Sequence, residues 1–252
     1  MPSPFRLSFR MFAGLPLLAA FAVGSGAGGA IHPVRIMAVG DSITAGGELF
    51  ANYRYPLREK LLAAGYAVEF TGTQRSESPA GPLAHEAYGG RTTEYLADTV
   101  PEHFRAHPAD IVLLHSGHNH NAGEHPVPGI IAATERLIAA IRAVNPHVTV
   151  LLAQVIPAGK LPKYSYIPDL NTALARLADR LDHPDQRVVP VDQTAGFNWS
   201  ADTVADKVHP NAAGAEKMAL RWFEALEKIL PPPSAISHGK EPISRPPPSQ
   251  RS

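Results

Sequence analysis

Three residues of this chain could together break an ester. Ser42 would be the nucleophile, His209 the base that takes its proton, and Asp206 the acid that holds the base in the correct tautomer. Ser42 stands in Val39-Gly40-Asp41-Ser42-Ile43-Thr44-Ala45-Gly46, directly after an apolar run. A strand end fixes the position of such a serine, and a glycine-containing turn lets the backbone bend sharply away. A serine there is also a common turn or helix-cap residue. His209 stands in Asp206-Lys207-Val208-His209-Pro210. An Asp three residues before a His can fold back on a tight loop so that its carboxylate meets Nδ1, leaving Nε2 to face the serine. Pro210 suits the first turn of a following helix. Asp206 and His209 could equally be a capping and surface pair, and Asp192 and Asp202 are nearby acids without that spacing. Asp41 adjoins the nucleophile and is expected to hydrogen-bond its own turn.

The tetrahedral oxyanion formed by attack on an ester needs two or three fixed donors. The Ser42 N–H, the Gly90 N–H in Gly89-Gly90-Arg91 and the Asn119 amide in Gly117-His118-Asn119 are the candidates. Each also has a plain reading as turn glycine or loop amide. Arg91 and His118 lie beside these donors and are expected to contact substrate. His118 and His120 could instead orient the loop that carries Asn119. His115, His118 and His120 could also meet at a metal, though no carboxylate cluster accompanies them.

Short apolar runs alternate with helical periods through the region that must position these groups. Strands are expected at 34–39, 67–71, 110–115, 148–156 and 187–191, and helices at 51–64, 92–106, 127–144, 167–181 and 211–229. The polar stretch 73–89, rich in Ser, Pro and Gly, reads as loop. This alternation predicts an α/β fold, a five-stranded parallel sheet covered on both faces in a three-layer α/β/α sandwich. Ligands in such sheets sit outside the carboxyl ends of the strands. Ser42 follows strand one, Gly90 lies in the region after strand two, Asn119 follows strand three, and His209 lies between strand five and the last helix. All four thus fall on one sheet edge.

The chain has 252 residues, enough for one well-buried domain. Its 23 basic and 23 acidic residues balance, which argues against nucleic acid as a partner. Cysteine is absent, so disulfides, thiolate metal sites and a cysteine nucleophile are excluded. Residues 1–30 read as a secretory signal: Arg6 and Arg10 are followed by a short apolar run and then by small residues up to Ala30. The globular domain is expected over 31–230, and the proline-rich 231–252 as a disordered tail. These features point to a secreted or periplasmic protein, a monomer without stable membrane association once the signal is cleaved.

Gly-Asp-Ser at Ser42, then Gly90, then Gly-x-Asn at Asn119, then Asp-x-x-His at His209 resembles the SGNH hydrolase superfamily, the GDSL esterases and lipases. The resemblance spans about residues 34–229. It implies a flavodoxin-like sandwich and ester hydrolysis through an acyl-enzyme, with no metal and no cofactor. Within the superfamily, His85-Glu86 before Gly90, Gln154-Val155-Ile156-Pro157, Asn171 and Val208-His209-Pro210-Asn211 look like carbohydrate esterase family three and similar acetylesterases. That likeness implies deacetylation of a polysaccharide or smaller sugar ester. Lysophospholipase- and thioesterase-like members share the same four blocks, and a non-catalytic glycan-binding domain would use the same groove. The chain departs from the usual pattern at His118, His120 and Arg91.

Overall fold

The computed structural model describes residues 32–77 and 81–233. The expected leader over 1–30 and the expected tail from 234 onward lie outside the described residues. The sheet is built from β1 (Val34–Gly40), β2 (Val68–Thr71), β3 (Gln74–Ser76), β4 (Leu83–Ala87), β5 (Ile111–His115), β6 (Thr149–Gln154) and β7 (Val188–Asp192). The helices are α1 (Ser42–Ala45), α2 (Arg54–Ala63), α3 (Thr93–Ala106), α4 (Val127–Val144), α5 (Ile167–Leu181), α6 (Trp199–Asp202) and α7 (Ala212–Glu227).

The sheet runs β3-β4-β1-β5-β6-β7, with β2 beside the first half of β1. Every pairing is parallel except β3 with β4. Neighbouring residues of a strand point to opposite faces, and both faces of this sheet are apolar. Met37, Val39, Val112, Leu114, Val150 and Leu152 join the core under α3, α4 and α5. Ile36, Ile111, Leu113, Leu151 and Ala153 join the core under α2 and α7. That two-sided burial explains why the central strands read as continuous apolar runs rather than as alternations.

The α/β/α sandwich agrees with the sequence reading, but the sheet has seven strands, not five. The two additional strands, β3 and β4, lie in the stretch expected to be loop. Polarity hid them: β4 carries His85 and Glu86, both buried. Their polar atoms are satisfied inside the fold. Glu86 accepts from the Thr73 N–H and hydroxyl, and His85 meets the Ser76 hydroxyl and the Ala87 N–H. A buried polar strand of this kind has no hydrophobic period to read.

The register sets the site. Gly40, the last residue of β1, pairs with His115 of β5 on one side and with Ala87 of β4 on the other. Three chain segments therefore leave the sheet from one row, and Ser42, Gly90 and Asn119 follow within a few residues. Gly90 is delivered by β4, not by β2 as the sequence suggested.

Candidate active site

Ser42 is the first residue of α1, a single helical turn. Asp41 caps it, with Oδ1 accepting the Ile43 N–H at 3.0 Å, as expected for a carboxylate that holds the turn. Asp41 is fully buried, and burial pushes its carboxyl above the usual range, opposed by the neighbouring His118 ring and by the N–H groups of Ile43 and His118. The other end of α1 is held by Arg54. Its Nε donates to the Thr44 carbonyl and Nη2 to the Ala45 carbonyl, both at 2.7 Å, and Nη2 also reaches the Ser76 hydroxyl at 2.7 Å. Burial lowers the guanidinium to about 10, opposed by Tyr53 and Tyr55, so it stays charged at neutral pH. The carbonyls of a last helical turn have no intrahelical partners, and here a buried arginine supplies the donors.

His209 arrives on the loop between α6 and α7. Lys207 adopts a left-handed conformation (φ 61°), which closes the turn between Asp206 and His209. Within this turn Asp206 Oδ1 accepts the N–H groups of Val208 and His209, at 2.9 and 3.0 Å. Asp206 Oδ2 lies 2.5 Å from His209 Nδ1, and His209 Nε2 lies 2.8 Å from Ser42 Oγ. An ionised carboxylate cannot donate, so Nδ1–H donates to Asp206 and Nε2 accepts the serine proton. Burial alone would raise the Asp206 carboxyl; the hydrogen bonds from the His209 ring and from the His209 and Val208 N–H groups outweigh it and hold the carboxyl below the usual range. Phe50 stacks on the imidazole, ring centroids 4.0 Å apart and planes at 23°. The Ala51 N–H donates to the Pro210 carbonyl at 3.0 Å, tying the histidine loop to the segment after α1.

The other two acids are engaged elsewhere. Asp202 is buried against Lys217 Nζ at 2.7 Å and accepts the Asn198 N–H. Asp192 accepts the N–H and hydroxyl of Thr194. Of the three carboxylates considered from sequence, Asp206 is the one bonded to the imidazole.

The oxyanion candidates come from the flanking strands. Gly90 sits at φ +73°, a backbone conformation that favours glycine, in an exposed turn after β4. The Asn119 amide Nδ2 donates to the Arg91 carbonyl at 2.8 Å. This bond joins the Gly90 and Asn119 loops and leaves the second amide hydrogen available to a ligand. The Thr93 and Ser116 hydroxyls, 2.8 Å apart, pin α3 to the end of β5.

His118 and Arg91 are placed differently from the substrate-contact reading. His118 is 2% exposed, donates from Nε2 to the Ile156 carbonyl at 2.9 Å, and stacks on His115. It anchors the loop from below and presents no surface to a substrate. The Arg91 guanidinium lies over the Tyr95 ring, 4.8 Å from its centroid, and Arg91 serves the site through its carbonyl. His120 lies 3.1 Å from a Glu94 carboxylate oxygen, which braces the same loop from its other end. Among the described residues no three His, Cys, Asp or Glu side chains are grouped to hold a metal.

Sequence reasoning missed Arg54 and Phe50. A signal existed for Arg54: it opens α2, where a cation opposes the helix dipole, so another task had to hold it there. Nothing in the sequence marked Phe50.

Residues 38–217 match the GDSL-like Lipase/Acylhydrolase family. The chain belongs to this family, whose members are ester hydrolases by class. It is similar to a carbohydrate esterase family 3 structure from Talaromyces cellulolyticus, with 26% identity and a TM-score of 0.69 over 77% of this chain and 97% of that one. It is also similar to an acetyl esterase mutant solved with an acetate ion, with 26% identity and a TM-score of 0.68 over 77% and 97% of the two chains. A multidomain esterase of Ruminococcus flavefaciens is 27% identical over 78% of this chain; the chain spans 29% of that protein's length.

Proposed function

We propose that this GDSL family member hydrolyses carboxylic esters through Ser42, His209 and Asp206, and that its substrates are O-acetylated carbohydrates. The observation that carries the reading is the continuous hydrogen-bonded chain from Ser42 Oγ through the His209 ring to Asp206. Ser42 Oγ attacks the ester carbonyl carbon as its proton passes to Nε2. The oxyanion is held by the Ser42 and Gly90 N–H groups and the Asn119 amide. The carbon–oxygen bond to the alcohol breaks, and the imidazolium returns its proton to the departing oxygen. Water, deprotonated by the same nitrogen, then attacks the acyl-enzyme, and the carboxylic acid leaves as Ser42 regains its proton. Asp206, ionised through the neutral range, stabilises the imidazolium in both halves.

The carbohydrate and acetyl parts are supported by the likeness to a carbohydrate esterase and to an acetyl esterase. Export fits the arrangement of Arg6, Arg10 and the apolar run after them. The test is acetate release from a panel of acetylated glycans, run beside a series of p-nitrophenyl esters from acetate to octanoate. Acetate release from a glycan, with rates falling along the acyl series, is the expected result. Rates that climb towards octanoate would overturn the acetyl-sugar reading in favour of a lipid-type acyl hydrolase.

A further inference from the structure

The carbonyl-side machinery and the histidine side of the site are built from different segments. Gly90 and Asn119 leave β4 and β5. The histidine side is bounded by the loop after α1 and by the loop carrying Asp206 and His209. Between these two loops lies a groove of about 600 Å³, with Glu48, Leu49 and Phe50 on one wall and Val204 and Ala205 on the other, and with Asp206 and His209 among its lining residues. This falls within the range of small-molecule sites, about 300–1,000 Å³, and is far larger than an acetyl group needs. Leu49 is 86% exposed, more than any other large apolar side chain among the described residues. So exposed a leucine in the lining of a groove that also holds His209 calls for an occupant.

The chemistry decides which part of the substrate enters. His209 Nε2 protonates the departing alcohol oxygen, so the alcohol must lie against the imidazole, and His209 is one of the residues that line the groove. Resting on the esterase reading above, we propose that this groove is the site for the alcohol portion of the ester and that it selects a neutral sugar ring. Leu49, Val204 and Ala205 offer apolar surface to the C–H face of a pyranose. Glu48, which is exposed and has no partner among the described residues, accepts hydrogen bonds from sugar hydroxyls at the rim. Glu48 and Asp206 together place two carboxylates on the groove, which disfavours an anionic alcohol such as a uronic acid or a phosphate-bearing glycerol.

The test compares acetate esters of ethanol, of a neutral glycoside and of a uronic acid glycoside, together with ethyl esters of longer acids, in the wild type, Leu49→Ala and Glu48→Gln. The wild type is expected to favour the neutral glycoside in kcat/KM. Leu49→Ala should cut the glycoside value by about tenfold more than it cuts the ethyl acetate value. Glu48→Gln should narrow the gap between neutral and uronic glycosides by several-fold. Both side chains are exposed, and an unchanged thermal midpoint will confirm that the variants fold. Equal losses on ethyl acetate and glycoside, a Leu49→Ala effect that grows with acyl length, or an unchanged gap in Glu48→Gln would overturn the assignment. A wild type that splits ethyl acetate without preferring the glycoside sinks the groove but leaves the esterase. A wild type inactive on every ester sinks both.

Discussion

The proposed nucleophile and the proposed base are held in different ways. Ser42 sits on a buried buttress: Gly40 is paired on both flanks of the sheet, Asp41 is sealed inside, and Arg54 grips the α1 carbonyls from beneath. His209 rides on a loop in which Ala205, Asp206 and Lys207 are all exposed. Its orientation comes from short-range bonds within Asp206–His209, from Phe50 stacked on its ring and from the tie between Ala51 and Pro210. Ser42 is thus positioned by the core, and His209 by its own turn. Damage to the first support should cost stability, and damage to the second should cost turnover.

The largest expected effect concerns the two ends of the hydrogen bond between them. Ser42→Ala and His209→Ala should each lower kcat by on the order of 10⁶, and the double variant should lose little more, because the residues act as a unit. Losses that multiply in a kinetic double-mutant cycle would show that they act separately. Next comes Asp206→Asn, which keeps the shape of the turn but removes the charge facing Nδ1. A kcat loss of about 10⁴ is expected, with a thermal midpoint close to that of the wild type. A large drop in the midpoint would make the turn part of the core support and erase the contrast.

On the nucleophile side, Arg54→Leu leaves the Thr44 and Ala45 carbonyls without their donor. A loss of about 3 kcal/mol in urea unfolding is expected, a shift of roughly 6–12 °C in Tm. A variant of wild-type stability would contradict the buttress. The pH dependence of that support is the remaining test. Burial, aided by the Arg54 charge, lowers His85 to about 3, and burial also lowers His115 and His118. Each is neutral in the fold but takes a proton when unfolded, so its contribution is complete above the ordinary histidine range near pH 6.5. It is lost as pH falls from there towards the folded-state value. Urea midpoints should therefore decline from pH 7 to pH 4, at up to about 1.4 kcal/mol per pH unit for each histidine. A flat profile would show that these rings titrate in the fold as they do in the unfolded chain.

The same contrast explains what could be read from the sequence. Asp206 and His209 meet through a local turn, so their three-residue spacing carried the geometry. The order of Ser42, Gly90, Asn119 and His209 along alternating elements placed them at one sheet edge. What depended on long-range burial was hidden. β4 looked like loop because His85 and Glu86 are polar, and their burial is tolerable because partners such as Ser76 and Thr73, outside β4, meet them. His118 looked like a substrate contact because the Ile156 carbonyl that accepts its hydrogen bond lies on another strand's extension. Phe50 gave no local signal at all, since its role exists only once the histidine loop has folded against it.

The most direct measurement is peptide mapping by mass spectrometry after treatment with a fluorophosphonate, which reacts with serines activated by a neighbouring base. One label per chain on the peptide containing Ser42 is expected, lost in Ser42→Ala and strongly slowed in His209→Ala. A hydrolytically active preparation that stays unlabelled, or carries its label on another residue, would contradict Ser42 as the nucleophile.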